Sequence, residues 1–109
     1  MKKLVRDRIP EVIQQAGKTC ETRVLDESAY RVALRDKLIE EAQEAAIAPT
    51  PELLTELADL WEVMAALMAA EGLSWADLDA VRAARRRLRG GFEQRLWLEA
   101  VYESGHDPR

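Results

Sequence analysis

A chain of 109 residues with 48% apolar and 33% charged side chains has room for one domain, and that balance excludes a disordered polymer. Only 6% of the residues are aromatic, which argues against a large all-β fold. The net charge of −4 provides no bulk attraction to nucleic acid or anionic lipid, and a lone cysteine, Cys20, rules out an intramolecular disulfide.

At the start of the chain, Arg6, Asp7 and Arg8 interrupt the apolar run begun by Leu4 and Val5, so no signal peptide is expected. No later stretch approaches the ~18 consecutive apolar residues of a membrane helix. With a cysteine suited to a reducing compartment, the expectation is a cytoplasmic protein with no membrane partner.

The spacing of Ile9, Val12 and Ile13, with Pro10 tolerable in a first turn, predicts a short helix over about 9–16 that stops at Gly17. Residues 19–25 alternate loosely and are rich in β-branched types, which fits either a short strand or an extended connector. From Asp26 or Ser28, either of which can cap, Tyr30, Leu34, Leu38, Ala42 and Ala45 recur at helical spacing and predict a helix to about Ala48. Pro49-Thr50-Pro51 stops it. Thr50 as cap with Pro51 at the first helical position opens the next, whose stripe is Leu53, Leu57, Leu60, Met64 and Leu67 and whose end is Gly72. Ser74 is the expected cap of a third long helix carrying Trp75, Leu78, Val81 and Leu88 on one side and closed by Gly90-Gly91. Phe92, Leu96, Trp97, Leu98, Val101 and Tyr102 are apolar enough to dock, and are read as another short helix.

The expected architecture is therefore an all-α helical bundle with a central antiparallel hairpin, one domain over 1–103 and a frayed tail over 104–109. A core of this size is marginal alone, so a homodimer or larger homo-oligomer is expected to complete it.

The two central helices carry Glu40-Glu41-Ala42-Gln43-Glu44 and Glu56-Leu57-Ala58-Asp59. Side chains three or four apart share a helix face, which pairs Glu41 with Glu44, Glu40 with Glu44, and Glu56 with Asp59. Glu44 and Glu56 lie at similar distances on either side of the turn, so the acidic pairs should face each other at one height. Both sets border the apolar stripes. Carboxylates brought together there repel one another and raise their pKa values unless a hard cation with oxygen ligands joins them. Mg²⁺ is the expected ion, with Mn²⁺ an alternative. Lys37, one turn before Glu41, can reach a phosphate or pair with Glu41. Lys3 and Arg6 are further phosphate-binding candidates, although Arg6-Asp7-Arg8 also fits a solvated turn.

The EExxE motif followed by ExxD on the next helix resembles the all-α nucleoside triphosphate pyrophosphohydrolases, the superfamily of MazG, the dimeric dUTPases and phosphoribosyl-ATP pyrophosphohydrolase. Lys3-Leu4-Val5-Arg6-Asp7-Arg8-Ile9-Pro10 at the start and Arg89-Gly90-Gly91-Phe92-Glu93 near the end sharpen the likeness to the small MazG-like "house-cleaning" branch, and the three segments span nearly the whole chain. The resemblance implies Mg²⁺-dependent hydrolysis of a non-standard nucleoside triphosphate at the α-phosphorus, releasing a monophosphate and pyrophosphate. By position it makes Glu41, Glu44, Glu56 and Asp59 metal ligands, and Glu40 an auxiliary ligand or water activator. Glu40 and Glu41 are thus the catalytic candidates. Phosphoribosyl-ATP hydrolysis in histidine synthesis is the alternative, disfavoured by the opening and closing segments. A non-catalytic helical interaction protein with merely solvated acidic faces is the other.

Other features have simpler explanations. Arg82, Arg85, Arg86, Arg87 and Arg89 point in different directions around a helix, which suits a solvated face or ionic pairing better than nucleic acid. Trp61 and Trp75 fit core or interface packing. Cys20 has no second thiol or histidine to work with, and His106 sits in the polar tail. The Arg89-Gly90-Gly91-Phe92 step is read as a helix stop rather than an anion site.

Overall fold

A computed structural model describes residues 2–103 and 105. It is all-α: α1 (Ile9–Gln15), α2 (Glu27–Ile47), α3 (Thr50–Ala70) and α4 (Trp75–Arg89), with no strand among the described residues. The chain divides into two compact units between Trp75 and Ala76.

In the first unit, α1 starts with Pro10 in its first turn, where a missing N–H costs nothing, and stops at Gly17, whose φ of +79° suits a residue without Cβ. Residues 18–26 have no regular structure, which settles the 19–25 ambiguity in favour of a connector. Asp26 caps α2, its carboxylate accepting the Ala29 N–H at 2.8 Å, and so fills the role that Asp26 and Ser28 shared in prospect.

The turn between α2 and α3 is two residues long. Pro49 pushes Ala48 out of the helical region, to ψ 135°, and thereby ends α2. Pro49 itself, extended at ψ 151°, is the residue before the first helical position, so α3 begins at Thr50 and has no side-chain cap. That moves the start one residue ahead of the Thr50 cap read from the sequence. The proline already holds the non-helical conformation that a cap requires.

Both central helices have 21 residues, about 31 Å each. They pack side by side as an antiparallel hairpin. Arg31 ties the open end: its Nη2 donates to the Glu27 carboxylate (2.7 Å) and to the Ala70 carbonyl (3.1 Å), while Nε faces Glu71 at 3.6 Å. Leu34, 2% exposed, is the sole buried hydrophobic residue among those described. Leu57, expected in the inward stripe of α3, is 46% exposed, because it lies at the stripe's edge. Trp61 and Trp75 do pack, against each other, with ring centroids 5.1 Å apart and planes tilted by 39°.

In the second unit, Arg82 pairs with Asp79 (2.9 Å) and Arg86 with Glu93 (2.9 Å). Gly90, at φ +81°, stops α4. A Cβ on Gly91 would collide with the Arg86 guanidinium and the Glu93 carboxylate, so this clasp demands glycine. The step is thus a helix stop closed by an ion pair. The expected docked helix after it is absent: residues 92–103 contain no helix, and Phe92, Leu96, Trp97, Leu98 and Val101 are all at least 77% exposed. Arg95 has φ +57°, which interrupts helical backbone. His106 and most of the 104–109 tail lie outside the described residues.

No helix among the described residues is long and apolar enough to cross a membrane.

Candidate metal centre and groove

Glu41 lies on the face of α2 that carries Leu34, Leu38 and Ala45, and Glu56 and Asp59 sit beside Leu60 and Val63 on α3. When the hairpin closes, these three carboxylates converge. One oxygen from each of Glu41, Glu56 and Asp59 can be taken such that all lie within 4.8 Å of one another. All three residues are half-buried.

Three like charges so close are costly, and the cost falls on Glu56. Its pKa is raised, first by loss of hydration, then by the charges of Asp59, Glu44, Glu41 and Glu52. Two cations offset the other members of the group. The Arg6 guanidinium holds Asp59 at 2.8 Å, and the Lys37 ammonium lies 3.4 Å from Glu41 and 3.3 Å from Glu40. Lys37 thus reaches both neighbouring carboxylates from one turn away, the pairing that its spacing allowed.

Glu40 and Glu44 stand apart from the converged three. Glu40 is turned toward Lys37, and the exposed Glu44 acts on Glu56 through its charge. Around a helix, Glu40 lies about 100° from Glu41, which carries it off the face that meets α3. Lys3 is exposed.

The opening segment completes the site. Residues 4–8 run alongside α2 and α3, and a groove of about 420 Å³ lies between them. Its floor includes Leu4, Val5, Leu34 and Val63, while Arg6, Lys37, Glu41 and Asp59 line its ionic side. Tyr30 and Glu62 also line the groove, and neither was singled out from the sequence. Tyr30 was read as part of the inward stripe. Glu62 had a signal, because it continues the three-residue spacing of Glu56 and Asp59 along α3.

The donor set is entirely carboxylate oxygen, the type that Mg²⁺ and Mn²⁺ prefer, and the uncompensated charge on Glu56 is what a divalent cation would relieve. The residues present therefore fit a hard divalent ion. Arg6 and Lys37, beside the cluster, are available to a ligand carrying phosphate.

Over 56 residues the chain is 45% identical to an uncharacterised protein of Mycolicibacterium smegmatis, a stretch that covers 51% of this chain and 57% of that protein. The chain thus spans little more than half of that relative's length. No protein-family model and no solved structure matches it.

Proposed function

We propose that this protein is a divalent-cation-dependent nucleotide pyrophosphohydrolase of the MazG-like kind, cleaving a non-standard nucleoside triphosphate to its monophosphate and pyrophosphate. The observation that carries the reading is the convergence of Glu41, Glu56 and Asp59 from two helices beside Arg6 and Lys37. Mg²⁺ held by the three carboxylates, with Glu44 as a nearby fourth, would neutralise charge developing on the phosphate oxygens and acidify the attacking water. Arg6 and Lys37 would bind the polyphosphate as point cations, and Glu40, on the edge of the cluster, would accept the proton of the water. The apolar floor of the groove would hold the non-phosphate part of the substrate and exclude water from the reacting end.

A second reading has its own support. Arg6–Asp59 and Lys37–Glu41 already neutralise much of the cluster, as they would in a purely structural ion-pair network. Two measurements separate the readings. Melting temperature should rise with Mg²⁺ or Mn²⁺ in a concentration-dependent way if the folded state binds the ion. Pyrophosphate release from a panel of standard, deoxy, oxidised and deaminated triphosphates should be detectable, and should vanish in Glu41→Gln and Asp59→Asn while their helical content is retained. No thermal shift at millimolar metal, or full activity in both variants, would refute the site.

A further inference from the structure

We propose that the face of α3 running from Leu54 through Trp61 to Met68 is the contact surface for a second copy of this chain, joined antiparallel about Trp61.

Three observations lead there. The first is area. A compact monomer of 12.3 kDa exposes about 6,100 Å², whereas this chain exposes 10,114 Å². Two separately compact pieces divided after Trp75 would still expose only about 7,200 Å² by the same scaling. The surplus exceeds the roughly 1,000–2,500 Å² that each partner buries in an obligate homodimer.

The second is pattern. Leu53, Leu60, Met64 and Leu67 turn one side of α3 toward α2, as an amphipathic helix requires. Yet Leu54, Leu57, Ala58, Trp61, Ala65 and Met68 make a second apolar stripe beside the first, so that α3 is apolar around about half its circumference. Leu54 is 80% exposed and Trp61 63%. A helix apolar over so wide an arc belongs inside a protein. The seven-residue spacing of Leu54, Trp61 and Met68 is that of a helix–helix seam.

The third is self-complementarity. α3 bears four carboxylates, Glu52, Glu56, Asp59 and Glu62, and no basic residue. The second stripe is the sector that carries none of them, so two copies of this acidic helix can meet there without opposing like charges. Trp61 lies midway between Leu54 and Met68, so an antiparallel pairing sets Leu54 against the partner's Met68. The small residues Ala58 and Ala65 then fall opposite each other and leave room for the two indoles. A two-fold contact needs such a patch, complementary to itself.

Sedimentation equilibrium of the full chain at micromolar concentration tests this. The expected mass is 12.3 kDa doubled, or an even multiple of it, and Leu54→Glu combined with Ala65→Glu should halve it. Because that variant could lose its fold, a second measurement decides independently. In a Cys20→Ser background, Trp61→Cys lies on the two-fold axis and should form a chain-to-chain disulfide under mild oxidation, whereas Val32→Cys on α2 should not. A monomer at every concentration, as expected if the chain's own C-terminal segment covers the stripe, would overturn the proposal. So would an oligomer in which Trp61→Cys fails to cross-link.

Discussion

Arg6 and Asp59 meet at 2.8 Å, so the opening segment supplies a cation where a metal would otherwise find a free carboxylate. If the cluster binds a divalent ion, Arg6 competes with it for Asp59 and, once displaced, is free to hold substrate phosphate. Arg6→Ala is therefore expected to strengthen metal binding, seen as a larger metal-induced rise in melting temperature, and to raise KM. A smaller metal response in that variant would show that Arg6 supports the site rather than competes for it. Glu56 carries a prediction of different form. Its raised pKa means that the folded chain holds the proton more tightly than the unfolded one, so stability falls as pH climbs from the ordinary carboxylate range through the raised value. Glu56→Gln removes that penalty. Without metal at neutral pH it should melt at a higher temperature than the native chain, the two converging as the pH drops into the ordinary carboxylate range. The spacing of Glu41, Glu56 and Asp59 was legible along the chain because helical periodicity assigns each a face. Which carboxylates converge was not, since it depends on how far α2 and α3 are rotated toward each other.

At the scale of elements, local chemistry predicts boundaries well where a single side chain enforces them. Asp26 caps α2 through one hydrogen bond, and Asp26→Ala should cost about 1 kcal/mol in chemical denaturation. Leu34 sits where α2 meets α3 and the opening segment, and Leu34→Ala should cost about 3 kcal/mol by the same measurement. The segment after Gly91 shows the opposite. Its apolar content suggested a docked helix, but Leu96, Trp97 and Leu98 are consecutive, so no helical rotation turns all three inward, and Arg95 breaks the backbone before them. Composition spoke for burial there; periodicity did not.

For the whole molecule the governing fact is how little is buried. One hydrophobic residue below 9% exposure is far short of the core that pays the chain entropy of a domain this size. If a second copy covers α3, the stability belongs to the assembly, and the melting temperature should rise with protein concentration over two decades. A melting temperature independent of concentration would mean that the chain finds its cover within itself.

The sequence by itself determined the all-α class, the positions of the four helices to within a residue or two, and the presence of acidic residues on the inner border of the central pair. These are local properties, set by period, caps and prolines acting within a few residues. Only the tertiary structure decided that Glu41, Glu56 and Asp59 form the tight group while Glu40 and Glu44 stand outside it, that Arg6 closes on Asp59 across 53 positions of chain, and that Tyr30 and Glu62 face the same groove. The reason is geometric. A helix's own spacing says which side chains share a face, but the rotation and offset between two helices, settled by packing along their whole length, say which faces meet.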